Sequence, residues 1–253
     1  MTESTTPGQD AGYSVVFDMD GVLVDNREFH YRAWRRFAEK HSLPFNEARF
    51  TARLFGHTNP DILRGLFGRP VDAELGERFA AEKEALYRDL QRGKVRPARG
   101  LVPLLEGLRR DGATLAVATV APRENLDFVL DEAGLRPYFR VLVDVSAVRR
   151  GKPDPEIYLK AAELLARPPG RCVAVEDSLP GLQSARAAGM KVVAVTTTHE
   201  AADLVDADLV VPDFERVGPE DIRSLIFRAD SNESARQGGN APFLTPAKED
   251  DHE

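Results

Sequence analysis

Short apolar runs alternate with helical patterns along most of this 253-residue chain, and that alternation restricts the fold more than any other feature. The runs with the length and apolar content of buried strands are 13–18, 113–118, 139–143, 171–175, 191–196 and 208–211. The helical patterns between them include 101–110, 122–133, 154–166 and 179–188. Strands that alternate with helices form parallel sheets covered by helices on both faces. We therefore predict an α/β fold with a doubly wound, Rossmann-like core.

The interval from Asp25 to about Pro97 breaks this alternation, because it contains helical patterns and no convincing strand. Those helical patterns are 28–41, 47–55, 60–67 and 72–90. A connection between parallel strands needs only one helix, so the interval predicts an inserted helical subdomain. We predict a catalytic core of residues 12–26 and 98–228 and an inserted α-helical cap of residues 27–97.

Composition and charge argue against a membrane or nucleic-acid protein. The formal net charge of −7 is spread along the chain and forms no basic stripe of the kind that nucleic acids require. No apolar run approaches a membrane helix, and the first residues lack the pattern of a signal peptide, so we expect a cytoplasmic monomer. The single cysteine, Cys172, lies in an apolar run and is expected to be a buried thiol. The polar segments 1–11 and 229–253 are expected to be flexible tails.

Two carboxylates directly follow the first apolar run. Asp18 and Asp20 stand one residue apart and precede Gly21. Residues i and i+2 of a strand face the same side, so both carboxylates can point at one small volume. Two anions this close repel each other unless one is protonated or a cation lies between them. The pattern suits a carboxylate nucleophile with a neighbouring acid–base group and a hard metal ion, although Asp-x-Asp-Gly alone is also typical of a solvated turn.

Further polar groups stand near the ends of later strands. Thr119 ends the second strand, and its hydroxyl can donate a hydrogen bond to a phosphate oxygen. Lys152 lies in Gly-Lys-Pro-Asp-Pro, where the prolines restrict the backbone and let the lysine be directed at an anion. Glu176 and Asp177 end the fourth strand, and adjacent strand residues face opposite sides. We therefore expect one of the two to face the site, where a hard ion such as Mg²⁺ prefers oxygen ligands, and the other to brace it.

Taken in chain order, the polar residues near the strand ends resemble the four motifs of the haloacid dehalogenase-like hydrolase superfamily. Its first motif, Asp-x-Asp-Gly-Val/Thr-Leu-x-Asp, is similar to residues 18–25. Thr119 resembles the second motif, Gly-Lys-Pro-x-Pro around Lys152 the third, and the pair Glu176 and Asp177 the fourth. The resemblance extends over about residues 13 to 215 and implies a Mg²⁺-dependent phosphatase with a helical cap.

The resemblance also implies a role for each motif residue. Asp18 would attack phosphorus, Asp20 would be the acid and base, and Thr119 and Lys152 would hold the phosphoryl oxygens. The implied metal ligands are Asp18, the backbone carbonyl of Asp20, Asp177 and, directly or in support, Glu176. The implied substrate is a small phosphorylated metabolite, either a sugar phosphate or an organic phosphate.

Part of the cap sequence is similar to that of β-phosphoglucomutases. Those enzymes carry a histidine near the catalytic acid and base, which matches His30, and an arginine for a second phosphate in Gly-x-Ser-Arg. Here that segment is Gly-His-Thr-Asn, and Asn59 cannot supply the bidentate cation. We predict that His30, His57 and Asn59 contact the substrate.

Three other functions stay open. A β-phosphoglucomutase would use the same core but return the phosphoryl group to the sugar. A haloacid dehalogenase also uses an aspartate nucleophile, but it would need neither Asp20 nor a metal. A non-catalytic phosphate-binding protein would be favoured by the loss of a motif residue, and every motif residue is present.

Overall fold

The computed structural model describes most of the chain, namely residues 12–48, 50 and 58–227. The two segments expected to be tails, 1–11 and 229–253, lie outside these residues, as does His57. The chain divides into two compact units. The core unit comprises the chain up to Asp25 and from Arg96 onward, and the helical unit comprises Asn26–Val95.

A six-stranded parallel sheet forms the centre of the core unit. Its strands are β1 (Ser14–Phe17), β2 (Thr114–Ala118), β3 (Val141–Val143), β4 (Cys172–Glu176), β5 (Lys191–Val195) and β6 (Leu209–Val211). The strand order is β3-β2-β1-β4-β5-β6, which is the order of doubly wound sheets. Phe17 aligns with Val117 of β2 and with Val175 of β4. The carboxyl ends of β1, β2 and β4 therefore meet at one edge of the sheet.

The helices that lie wholly within the described residues are α1 (Arg27–Lys40), α2 (Asn59–Phe67), α3 (Ala73–Gln91), α4 (Leu101–Arg110), α5 (Arg123–Glu132), α6 (Glu156–Leu164), α7 (Leu179–Ala187) and α8 (Pro219–Phe227). Short 3₁₀ turns occur at Arg136–Tyr138, Val145–Ala147 and Pro169–Arg171. None of the helices in the described part of the chain is both long and apolar enough to span a membrane.

Helices cover both faces of the sheet. Helices α6 and α7 pack with Val16 and Ala174 in one apolar cluster on one face. Helices α4 and α8 contact each other, and α4 also contacts β2 while α8 contacts β4 and β5. Every residue of β1 and β4 is buried, as expected for parallel strands covered on two sides. The predicted doubly wound α/β fold is confirmed, and each predicted strand overlaps an observed one.

The helical unit has an apolar core of its own, formed by Trp34, Phe37, Phe50, Ile62, Leu63 and Leu66. Thr58 caps the start of α2 through a hydrogen bond from the backbone N–H of Asp61. Gly68 ends α2 in the left-handed conformation at φ +68°, which glycine adopts without strain. The side chain of Asp72 likewise caps α3. The prediction of an inserted helical subdomain is confirmed.

Candidate active site

A tight turn follows β1 and carries the Asp pair. The backbone N–H of Asp18 donates to the carbonyl of Val175 at 2.9 Å, which continues the pairing of β1 with β4 by one residue. Gly21 adopts φ +79°, and its N–H donates to the carbonyl of Val24 at 2.8 Å. A Cβ atom at Gly21 would lie 1.9 Å from Oδ2 of Asp177. Glycine is therefore required at position 21, both by the backbone conformation and by the close approach of the Asp177 carboxylate.

Lys152 bridges the ends of β1 and β4. Its Nζ lies 2.6 Å from Oδ1 of Asp18, 2.5 Å from Oε1 of Glu176 and 3.3 Å from the carbonyl oxygen of Ala118. Burial disfavours the charge of Lys152, but Asp18 and Glu176 more than offset that effect and hold the lysine pKa above its ordinary value. The ammonium group is therefore a fixed positive charge beside Asp18.

Glu176 is fully buried and accepts hydrogen bonds on both carboxylate oxygens. Oε1 accepts from Lys152 and, at 2.6 Å, from the hydroxyl of the buried Tyr158. Oε2 lies 3.2 Å from the backbone nitrogen of Asp177 and 3.0 Å from Oγ of Ser178. These donors leave Glu176 oriented toward Lys152, so the carboxylate can hold the lysine in place.

The first turn of α7 is shaped around this carboxylate. Ser178 caps the helix by accepting a hydrogen bond from the N–H of Gly181 at 3.1 Å. A Cβ atom at Gly181 would lie 2.0 Å from Cδ and from both oxygens of Glu176. The helix can approach Glu176 this closely only because position 181 has no side chain.

Asp177 is the second buried carboxylate at the end of β4. Its Oδ2 accepts a hydrogen bond from the hydroxyl of Thr198, and its carbonyl oxygen lies 3.1 Å from Nδ1 of His199. Burial, and then the negative charge of Glu176, raise the pKa of Asp177 to about 7, although the hydrogen bond from Thr198 and the charge of Lys152 oppose that rise. Burial therefore disfavours the charge on Asp177 more than its hydrogen-bond donor and the nearby lysine can offset.

The donor set at this edge of the sheet fits a hard divalent cation. Asp18, Glu176 and Asp177 each offer an oxygen atom, and these atoms lie within 4.8 Å of one another. Burial raises the pKa of Asp18 well above its ordinary value, and repulsion from Glu176, Asp177 and Asp20 adds to the effect of burial against the opposing charge of Lys152. Carboxylates that are this close and this buried would be stabilised by an ion such as Mg²⁺, which prefers oxygen ligands.

Thr119 and Asp20 are the remaining predicted site residues of the core unit. Thr119 is buried at the end of β2, and its Oγ1 accepts a hydrogen bond from the N–H of Ala121 at 3.1 Å. A hydroxyl that accepts one bond can still donate its hydrogen, which suits a phosphate oxygen. Asp20 is half-buried in the turn after β1. The structure thus places Thr119 at the end of β2, beside the strand that leads to Asp18.

In the helical unit, two of the three predicted substrate residues, the half-buried His30 and Asn59, contact the buried pair Lys83 and Glu84. Nζ of Lys83 lies 2.8 Å from Nδ1 of His30 and 3.0 Å from Oε1 of Glu84. Asn59 donates from Nδ2 to the same Glu84 oxygen at 2.9 Å. The ring of His30 stacks on that of Tyr87 with centroids 3.9 Å apart. For His30, Asn59 and the undescribed His57, substrate contact stays a prediction.

The sequence pattern did not predict several residues of these clusters. Tyr158 and Thr198 contact the motif carboxylates, and His199 contacts the backbone carbonyl of Asp177, but each is distant from its partner along the chain. Thr198 and His199 could have been found, because they follow β5, and β5 pairs directly with β4. Lys83 and Glu84 gave no such signal, since charged residues within a long helix are usually exposed.

Comparison with known proteins identifies the family. The sequence model of the haloacid dehalogenase-like hydrolase family matches residues 14–189, and the chain belongs to this family, as its motifs predicted. It is 32% identical over 205 residues to validoxylamine A 7′-phosphate phosphatase of Streptomyces hygroscopicus subsp. limoneus, covering 80% of this chain and 94% of that protein. It is also 32% identical over 208 residues to β-phosphoglucomutase of Bacillus subtilis, covering 78% of this chain and 88% of that protein.

A solved structure with the same fold is that of a family IA, variant 3 hydrolase of this group from Entamoeba histolytica. The two chains superpose with a TM-score of 0.79 at 26% identity, over 85% of this chain and 99% of the other. The prediction that the protein is a hydrolytic enzyme is confirmed by its family.

Proposed function

We propose that the protein is a Mg²⁺-dependent phosphatase that hydrolyses a small phosphomonoester through an aspartyl-phosphate intermediate on Asp18. The observation that carries the proposal is the buried Lys152, which contacts both Asp18 and Glu176 where parallel strands end. A fixed cation beside a carboxylate nucleophile suits phosphoryl transfer, because it stabilises the negative charge of the phosphoryl oxygens. Membership of the family and a phosphatase among the relatives support the same reaction. The proposed substrate class is a sugar phosphate or another small organic phosphate.

In the first half-reaction, a carboxylate oxygen of Asp18 attacks phosphorus, and the bond between phosphorus and the ester oxygen breaks. Lys152 restricts the rotation of the Asp18 carboxylate through the 2.6 Å contact and places positive charge beside the phosphoryl oxygens. Asp20 donates its proton to the leaving oxygen, so the product departs as an alcohol. Thr119 donates its hydroxyl hydrogen to a phosphoryl oxygen.

In the second half-reaction, Asp20 accepts a proton from a water molecule as that water attacks phosphorus. The bond between phosphorus and Asp18 breaks, inorganic phosphate is released, and both carboxyl groups return to their starting states. Asp20 is half-buried, whereas Asp18 and Asp177 are buried, which gives Asp20 the access to water that an acid and base needs.

Asp18, Asp177 and the backbone carbonyl of Asp20 are the groups that we propose as Mg²⁺ ligands. Glu176 is better suited to support them, because hydrogen-bond donors already engage both of its oxygens. When bound, the ion supplies positive charge that offsets the negative charge of the carboxylates and the phosphoryl group. Burial and mutual repulsion raise the pKa of Asp18 and of Asp177, and a bound cation would oppose that rise by favouring their charged forms.

A β-phosphoglucomutase activity is the second candidate, because one relative carries that name. A mutase must also hold a second phosphate, and the resemblance assigns that task to an arginine where this chain has Asn59. The amide of Asn59 donates to the carboxylate of Glu84, so negative charge lies beside this position. Lys83, the neighbouring cation, is held by Glu84 and His30. These contacts favour hydrolysis over mutase activity.

The test of the hydrolase is phosphate release from a panel of phosphate esters with Mg²⁺, by the wild type and by Asp18→Asn. The carboxamide is nearly isosteric but cannot form the acyl phosphate, so we expect turnover to be abolished while the fold is kept. Asp131→Asn is the matched control, since Asp131 is an exposed aspartate of the core unit, and it should leave turnover unchanged. Near wild-type release by Asp18→Asn would exclude Asp18 as the nucleophile.

The test that separates hydrolase from mutase uses β-glucose 1-phosphate together with a catalytic amount of the glucose bisphosphate. We expect phosphorus NMR to show inorganic phosphate as the main product, with little glucose 6-phosphate. If glucose 6-phosphate forms faster than free phosphate, the mutase is the correct function.

A further inference from the structure

The loop that follows β5 holds Asp177 at two points. Thr198 donates its hydroxyl hydrogen to Oδ2 of Asp177. Nδ1 of His199 lies 3.1 Å from the carbonyl oxygen of the same residue, and because a carbonyl only accepts, Nδ1 is the protonated ring nitrogen. Both the side chain and the backbone of Asp177 are therefore fixed by two consecutive residues of one loop.

Packing restrains the same carboxylate from another direction. A Cβ atom at Gly21 would lie 1.9 Å from Oδ2 of Asp177, so the backbone of the turn after β1 passes directly beside that oxygen. Oδ2 is thus the oxygen that both Thr198 and the Gly21 backbone approach. Both approaches are closest at Oδ2, and Oδ1 is the oxygen that we assign to a further ligand.

The sheet explains why this loop reaches the site. Strand β5 pairs with β4, and Glu176 aligns with Ala194, so the residues after both strands emerge at the same edge. The N–H of Thr196 donates to the carbonyl of Val211 at 3.0 Å, which ties the start of the loop to β6. The loop therefore begins from an anchored position close to Asp177.

We propose that Thr198 is a positioning residue whose hydroxyl orients the Asp177 carboxylate for Mg²⁺, with His199 fixing the backbone of Asp177. The proposal rests on the proposed function, because it takes Asp177 as a metal ligand. A hydrogen-bond partner of a metal-ligating carboxylate fixes its orientation, and loss of such a partner typically weakens metal affinity about 10- to 100-fold. Thr198 would act through Asp177 and would not touch the substrate.

The experiment measures the Kd of Mg²⁺ by isothermal titration calorimetry for the wild type, Thr198→Val, Thr198→Ser and Thr197→Val. Valine keeps the shape of threonine without the hydroxyl, and serine keeps the hydroxyl. We expect Thr198→Val to raise the Kd about 10- to 100-fold, and Thr198→Ser and the neighbouring control Thr197→Val to stay close to wild type. Melting temperatures measured without metal should show all four proteins folded at the titration temperature, with Thr198→Val somewhat lower because it loses a hydrogen bond to a buried carboxylate. At saturating Mg²⁺, Thr198→Val should recover most of its kcat.

Each contrary result has its own meaning. A wild-type Kd for Thr198→Val would overturn the proposal and leave the proposed function intact. Equal weakening by valine and serine would also overturn it, because the hydroxyl would then not be the cause. A wild-type protein that binds no Mg²⁺ would overturn the proposed metal site and this proposal with it.

Discussion

Replacement of Gly181 by alanine tests how closely helix α7 must approach Glu176. An alanine Cβ would lie 2.0 Å from the carboxylate carbon and both oxygens of Glu176. Non-bonded heavy atoms prefer a separation of about 3.5–4.0 Å, so the carboxylate would have to move by roughly 1.5 Å or α7 would have to shift. Gly181 does not occupy the left-handed region, so the substitution adds no backbone strain and its effect comes from steric overlap with Glu176.

The size of the effect follows from the hydrogen bonds that such a movement would break. Glu176 now lies 2.5 Å from Lys152 and 2.6 Å from Tyr158, and a displacement of roughly 1.5 Å can take both bonds beyond the usual limit of about 3.2 Å. Overpacking costs about 1–3 kcal/mol, and loss of one hydrogen bond to a charged group costs about 1.5–3 kcal/mol. Counting the overpacking and one lost hydrogen bond, we expect Gly181→Ala to lower the free energy of unfolding by about 2.5–6 kcal/mol. We also expect kcat to fall about 100-fold or more, because Lys152 would lose one of its two carboxylate partners.

Urea denaturation and steady-state phosphate release measure these two effects on the same protein. Gly170→Ala is the control, since Gly170 is exposed and a Cβ atom added there would meet nothing within 4 Å. That variant should keep wild-type kcat and stay within about 0.5 kcal/mol of wild-type stability. If Gly181→Ala also matched the wild type in both measurements, the tight packing of α7 on Glu176 would not be needed for the site.

Three further predictions concern groups around the same sheet. Tyr158→Phe removes the hydroxyl that donates to buried Glu176 and should lower the free energy of unfolding by about 1.5–3 kcal/mol in urea denaturation; an unchanged midpoint would contradict this. Excess chelator should stop phosphate release and Mg²⁺ should restore it, whereas undiminished turnover in chelator would favour metal-free chemistry. Burial raises the pKa of the Cys172 thiol to about 11, so a disulfide reagent at mildly alkaline pH should modify the native protein slowly and the guanidinium-unfolded protein rapidly; equal rates would show that the thiol is exposed.

The sheet could be predicted because its strands carry a strong local signal. Buried parallel strands need apolar residues on both faces, so runs such as Val15, Val16 and Phe17 stand out from the helices between them. The polar residues after those runs then share one edge, which is why Asp18, Glu176 and Asp177 could be grouped before their distances were known, whereas Lys152 does not directly follow a strand and was grouped with them through its motif. The structure brings these four side chains together through hydrogen bonds and close carboxylate oxygens.

The supporting contacts could not be predicted in the same way, because they depend on approach between distant segments. Tyr158 lies within α6 and has the pattern of a core aromatic, yet its hydroxyl reaches Glu176. Gly181 has the pattern of a small residue early in a helix, and its need for close approach appears only when the carboxylate position is known. In the helical unit, Lys83 and Glu84 are buried beside each other, although two adjacent charged residues in a helix predict an exposed position.

The most direct test of the central claim is mass spectrometry of the protein after acid quenching during turnover with its best phosphate ester. We predict that the peptide containing Asp18 gains the mass of one phosphoryl group, that hydroxylamine removes it, and that Asp18→Asn never acquires it. A burst of alcohol release with no phosphorylated Asp18 peptide, or with the phosphoryl group on another residue, would contradict the proposed mechanism.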